Sequence, residues 1–279
     1  MGVSLTPSSD PTGLYVFNIV LLPTNGLGEA VLDSDRAVLS SVATIGVMRV
    51  SSVLTNTVIA TPWASMSYDI ATNVDVSVSD VVNPNGLSDQ DAIYAYNKEE
   101  RNFSTWKNNV ADGVWDEVLT VTKSGVSSSD ANDTKFPLGK AFWLVRSNPS
   151  EYIYLVGRYT GEDVVAELAG GTTETPGHTL IANPTFYDVD LNDLSFVDAG
   201  GSPAVPAADD RILVMNIAGL QTIYYRNKDN TQWGRNVTQT VKGRRKQVWS
   251  AGGTIPAGTG FWYNRTAEGS LNIKFESVK

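Results

Sequence analysis

The sequence predicts an all-β protein: two tandem, homologous β-sandwich or small-barrel modules preceded by an N-terminal β arm. Three observations carry that expectation. A set of motifs recurs along the chain at a nearly constant spacing of about 120 residues, the mark of an internal duplication. Apolar runs are short, β-branched or aromatic, and are bounded by Gly, Pro, Asn and Asp. Sustained 3.6-residue periodicity is absent, apart from possible one-turn helices near Val78–Val81 and Leu191–Leu194.

Residues 1–51 lie outside the duplication and form the arm. Within it, Leu14–Leu22 reads as a strand with Tyr15, Phe17 and Ile19 on one face and Leu14, Val16, Val20 and Leu22 on the other. Two apolar faces call for burial on both. Either docking on a module of its own chain or strand addition into a neighbouring subunit supplies that, and in the second case these seven residues are the assembly residues. Asn25-Gly26 is a turn signal, and Val42–Val50 reads as a second strand.

The first module covers residues 52–162 and the second 174–279, with 163–173 between them as a Gly-containing linker that leads into Gly170-Gly171-Thr172-Thr173. The chain Thr57-Val58-Ile59-Ala60-Thr61-Pro62 returns as Thr179-Leu180-Ile181-Ala182-Asn183-Pro184. Asp91-Ala92-Ile93 returns as Asp210-Arg211-Ile212, and Trp115 as Trp233. Phe136-Pro137-Leu138-Gly139-Lys140-Ala141-Phe142-Trp143 returns as Ile255-Pro256-Ala257-Gly258-Thr259-Gly260-Phe261-Trp262. Adjacent residues of a strand face opposite ways, so one aromatic of each Phe-Trp pair enters the core and the other covers a loop or an interface. Asp112-Gly113 and Asp229-Asn230 mark hairpin turns at matching places.

At the Ile-Ala-Thr/Asn-Pro and Pro-x-Gly-x-Gly-Phe-Trp positions the chain resembles a poorly characterised group of exported bacterial β-module proteins with repeated Leu-Ile-x-x-Pro and Pro-x-Gly-x-Gly-Phe-Trp motifs. The first copy has Ala141 in place of the second glycine. The resemblance implies an extracellular or cell-surface β module and no defined activity.

Composition narrows the function further. There is no Cys and a single His, His178, which excludes thiol catalysis, disulfide frameworks, Cys-based zinc sites and His-rich metal sites. The formal net charge of −9 disfavours nucleic acid, whose phosphates need a basic face. Charge is uneven: residues 1–175 carry 10 Lys and Arg against 21 Asp and Glu, whereas residues 176–279 carry 11 against 9. Such halves favour head-to-tail contact. No apolar run reaches the length of a membrane span, and a low-charge, Thr/Ser/Val/Asn-rich composition points to export with the signal segment removed.

The candidate chemistry is sparse. Trp106, Trp115, Tyr225 and Trp233 either line a sugar-binding platform or pack across hairpins. Lys242, Arg244, Arg245 and Lys246 form the basic run, either solvated or matched to an acidic partner such as another copy's acidic half. Asp188-Val189-Asp190-Leu191-Asn192-Asp193 starts like a calcium loop, but Asp193 stands where the loop needs Gly and Ala199 where it needs Glu. Asp89, Asp91, Asp209 and Asp210 read as turn carboxylates, and His178 as an exposed linker residue. No catalytic residue, cofactor or metal is expected. The expectation is a non-enzymatic, self-assembling extracellular structural protein, a homo-oligomer. The alternative is a carbohydrate-binding or adhesive surface module.

Overall fold

The computed structural model of the chain describes residues 88–89, 91–118, 141–145, 163–185, 187–214, 221–257 and 259–276 in full, and only the backbone of the strands elsewhere. Among the described residues every regular element is a β-strand. In chain order the first half contains β1 (Gly13–Leu21), β2 (Leu39–Ser51), β3 (Asn56–Ala60), β4 (Asp75–Ser77), β5 (Ala92–Asn97), β6 (Asn102–Asn109), β7 (Val114–Thr122), β8 (Gly125–Asp130), β9 (Lys135–Pro137), β10 (Ala141–Val145) and β11 (Tyr152–Arg158). The second contains β12 (Val164–Leu168), β13 (Gly177–Ala182), β14 (Val189–Asp190), β15 (Ser195–Val197), β16 (Arg211–Met215), β17 (Gln221–Arg226), β18 (Trp233–Val241), β19 (Arg244–Ala251), β20 (Thr254–Ile255), β21 (Gly260–Arg265) and β22 (Leu271–Phe275).

Two six-stranded antiparallel sheets dominate. Their orders are β3-β10-β5-β6-β7-β8 and β13-β21-β16-β17-β18-β19. Three-stranded sheets β1-β2-β11 and β12-β22-β15 and two-stranded ribbons β4-β9 and β14-β20 complete them. Registers correspond residue by residue. Phe142 lies opposite Ile59 and Ala95, and Phe261 opposite Ile181 and Val214. Trp143 lies opposite Val58 and Tyr94, and Trp262 opposite Leu180 and Leu213.

The core of the second half sits between its sheets. Ile181, Ile212, Val214, Tyr224, Trp233, Phe261 and Tyr263 point inward from the six-stranded sheet. Val164, Leu168, Phe196, Leu271, Ile273 and Phe275 meet them from the three-stranded one. Trp233 and Tyr263 meet edge-on at 6.2 Å between centroids. Each such side chain contributes about 1.5–3 kcal/mol by leaving water. The period of two in β22, with Leu271, Ile273 and Phe275 buried and Asn272 and Lys274 half-buried, is what a strand facing a core on one side requires.

The other face of the six-stranded sheet is also covered. Ala141, Leu180 and Ala182 are buried together against Tyr96, Trp143 and Trp262. Tyr96 meets Trp262 edge-on at 4.9 Å and Phe103 at 5.2 Å. The two six-stranded sheets therefore pack on each other, with β10 against β13 and, reciprocally, β21 against β3. In each Phe-Trp pair the Phe enters its own core, and the Trp covers this interface.

β2 pairs with β11 of its own chain over seven residue pairs. Two sequence expectations are corrected here. The stretch 163–173 is not a plain linker: its residues 164–168 form β12, paired with β22 throughout, and Val164 and Leu168 are core residues. Leu191–Leu194 is a turn and not a helix. Asp193 N–H donates to Asp190 C=O, Asn192 N–H donates to the Asp190 carboxylate, and buried Leu191 ties the turn to the core. Val78–Val81 lies outside the described residues.

Candidate functional site

Among the described residues, a hairpin outgrows its sheet. β17 pairs with β18 only at Tyr225↔Gly234 and Arg226↔Trp233. β18 and β19 then continue together from Gly234↔Ala251 to Val241↔Arg244. The turn at the tip is Lys242-Gly243, with φ of 51° and 74°. Two consecutive positive φ values make the type I′ turn, whose twist suits the flanking strands. Glycine meets this without strain, and Lys242 is one of three described non-glycine residues that adopt a positive φ.

This ribbon carries all of the sequence's candidate basic run. Lys242, Arg244, Arg245 and Lys246 are exposed, as is Arg235, and residues 233–251 contain no Asp or Glu. At its root, Gly234 lets the strands close: a Cβ there would lie 2.6 Å from the Trp249 ring. The ribbon is a long, cationic, two-stranded arm on the last strand of a sheet. The β7–β8 hairpin does the same in the first half. β6 pairs with β7 from Trp106↔Glu117 to Asn109↔Val114, while β7 and β8 run on to Thr122↔Gly125.

The aromatic candidates separate by burial. Trp106, Trp115 and Trp233 are 3%, 0% and 1% exposed. A sugar stacks on a ring face open to solvent, and these three rings offer none; they are core. Arg226 covers Trp233, its guanidinium 5.2 Å from the ring centroid. Tyr225 is half-buried, with its hydroxyl buried and unpartnered. The arm candidates Leu14, Tyr15, Val16, Phe17, Ile19 and Val20 lie on β1, which pairs with β2 of its own chain from Gly13↔Val47 to Leu21↔Leu39. One edge of the arm is thus filled within the chain. Leu22 lies outside the described residues, and the side chains of β1 are not described.

The carboxylates serve turns. Asp210 is wholly buried and accepts four hydrogen bonds: from the Tyr263 hydroxyl at 2.8 Å, Ala207 N–H at 3.0 Å, Thr266 N–H at 2.7 Å and the Thr266 hydroxyl at 3.0 Å. Burial, then the Asp210 charge and its hydrogen bond, push the Tyr263 phenol well above its ordinary value. Asp91 is equally buried and accepts from Ser88 N–H and the Ser88 hydroxyl. Asp188, Asp190 and Asp193 line a cleft of about 510 Å³ with Tyr187, Lys274 and Glu276. Asp188 accepts from Ala257 N–H, and no group of His, Cys, Asp and Glu suited to a metal occurs among the described residues.

In the second half, residues of the recurring motifs are structural pins. Asn183, of Ile-Ala-Asn-Pro, is fully buried; its amide donates to Tyr187, Ile255 and Pro256 carbonyls and its oxygen accepts from Thr185. Arg265 donates to the Ala267 and Glu268 carbonyls and fixes the β21–β22 turn. His178 is in β13, half-buried, with its Nδ1 2.7 Å from the Asn264 side-chain oxygen, so it is a sheet residue and not an exposed linker one. Asp210 was legible as a turn carboxylate, but nothing in Asp-Arg-Ile or Asn-Pro states which loop each residue holds.

Compared with known proteins, the chain matches no family model, no curated protein and no solved structure.

Proposed function

We propose that the chain is a non-enzymatic structural protein that builds an assembly from copies of itself outside the cell. In this reading it consists of two copies of one β module, the first from β2 to β11 and the second from β12 to β22, with β1 added as an N-terminal strand. The matching sheet orders and registers support the duplication. The composition and the resemblance to exported β-module proteins support the location.

The observation that carries assembly is the β18–β19 ribbon. A two-stranded hairpin standing clear of its sheet is at best marginally stable in water. An open strand edge is also a template for pairing with another chain. A protein that extends such an arm and lines it with five cations has a surface built for an acidic partner. The acidic half of another copy has that chemistry. The glycan-binding alternative has lost three of its four proposed rings to the core.

Light scattering and native mass measurement over a concentration series, with negative-stain imaging, test the reading. Rings, filaments or discrete oligomers are expected. A single-chain mass at every concentration overturns it.

A further inference from the structure

We infer that copies join by strand addition between the β19 edge of one chain and the β8 edge of the next, antiparallel, so that the six-stranded sheet of one half continues into that of the other half of a neighbour. This rests on the self-assembly reading and names its contact.

Both six-stranded sheets end in a projecting hairpin, and among the described strands neither β8 nor β19 has a second neighbour. The two hairpins differ in charge. Residues 233–251 carry five Lys and Arg and no acid; residues 114–130 carry Asp116, Glu117 and Asp130 against Lys123 alone. Parallel pairing of β19 with another β19 sets cations across from cations, and parallel pairing of β8 with β8 sets Asp130 across from Asp130; like charges directly opposite are destabilising. The antiparallel like pairs set Arg244–Lys246 across from residues 249–251 and Asp130 across from Gly125, and gain nothing from charge. The unlike pairing is the one that sets cations across from an acid.

Charge position also sets direction. On β19 the cations Arg244, Arg245 and Lys246 stand at the start of the strand, next to the turn. On β8 the acid is at the far end: Asp130 is its last residue, directly opposite Asp116 of β7. Two acidic residues at one register position put like charges across a strand pair, a repulsion that a cation relieves. Antiparallel addition brings Arg244–Lys246 alongside residues 128–130, whereas parallel addition leaves them beside the turn at residue 125. β8, Gly125-Val126-Ser127-Ser128-Ser129-Asp130, contains no Lys, Arg or Pro of the kind that guards an edge. The contact uses different surfaces on the two partners, so it is heterologous and either closes as a ring or runs on as a filament.

The test uses two full-length variants. One reverses the ribbon (R244E, R245E and K246E), and the other reverses the acidic edge (S128K and D130K). Each is first checked for wild-type circular dichroism and melting. Each alone should fall to the single-chain mass in light scattering. Mixed in equal amounts they should assemble again, because the acidic ribbon of the first fits the basic edge of the second. The chain has no cysteine, so a K246C chain and an S128C chain give a readout independent of charge reversal. Their mixture should form a mixed disulfide in excess of either self-disulfide.

A wild-type chain that stays single at all concentrations overturns the assembly reading and the contact with it. A wild type that assembles while the ribbon-reversed variant assembles equally well overturns the contact alone. So does a mixture that fails to restore assembly and gives no excess of mixed disulfide. A ribbon reversal that abolishes binding to heparin or duplex DNA while leaving the assembled mass unchanged assigns the arm to a polyanion and also overturns the contact.

Discussion

Replacing Asp210 by asparagine tests how much of the second half hangs on one buried carboxylate. The side chain accepts two hydrogen bonds on each oxygen: Tyr263 and Ala207 on one, Thr266 twice on the other. Asparagine keeps one acceptor oxygen and puts an NH₂ where the other stood. The backbone N–H on that side then faces a donor, and the hydroxyl beside it must turn to accept from the new NH₂. Hydrogen bonds to a charged group contribute about 1.5–3 kcal/mol each and neutral ones about 0.5–1.5, so losing one and exchanging another for a neutral bond predicts a destabilisation of about 2–4 kcal/mol. That is a large share of the stability of a small domain, about 5–15 kcal/mol. Urea unfolding followed by tryptophan fluorescence measures it, with Trp233 reporting from the same core at 6.2 Å from the Tyr263 ring. Tyr263→Phe removes one of the four bonds and should cost about 1.5–3 kcal/mol, which keeps the test open if the asparagine variant does not fold. A loss below about 1 kcal/mol for Asp210→Asn would mean that the carboxylate is not the pin that its geometry describes.

Alkaline titration gives a related outcome: folding holds the Tyr263 phenol well above its ordinary value of 10.0, so stability is full below that pH and declines above it as the unfolded chain alone gives up the proton. The decline, followed by circular dichroism, should be shallower in Tyr263→Phe. Asn183→Ala removes the side-chain partner of the Ile255 and Pro256 carbonyls and of Thr185 N–H and should cost about 2–4 kcal/mol in urea unfolding. Gly177→Ala sets a Cβ 2.2 Å from the Ala169 carbonyl oxygen and should lower the melting temperature through about 1–3 kcal/mol of overpacking. Trp262→Ala removes the ring packed on Tyr96 and should cost about 2–4 kcal/mol; a neutral result would show that the two six-stranded sheets do not depend on each other.

Much of the architecture was readable from residues 52 onward because its signals are local. Turn residues stand where hairpins turn: Asp112-Gly113 closes β6–β7 with Gly113 at φ 68°, and Asn230 takes φ 53° between β17 and β18. The alternation in Ala-Phe-Trp assigns one ring inward and one outward, and β10 and β21 follow it. What escaped reading depends on distant partners. β12 has only Val164 and Leu168 as buried apolar residues, and they stand four apart; without β22 beside it, that spacing looks like linker. The burial of Trp106 and Trp115 depends on what packs over them and leaves no trace in their neighbours in sequence. The ribbon's basic run was visible, but its projection was not. Projection follows from where β17 stops pairing with β18, a property of two strands together.

The packing of the two six-stranded sheets is reciprocal: β10 rests on β13 as β21 rests on β3. Two separate, identical polypeptides meeting this way would be related by a rotation that forces every side chain to appear twice, so any basic arm on one would be a basic arm on the other. Such a pair has no front and no back. Here both partners of the embrace lie on one polypeptide, and substitution in one leaves the other untouched. The five cations of residues 233–251 have no counterpart in residues 114–130. A unit that would be blind to direction as a pair of equals thereby acquires a sense, and in the proposed assembly a structure laid down from such units would have two unlike ends.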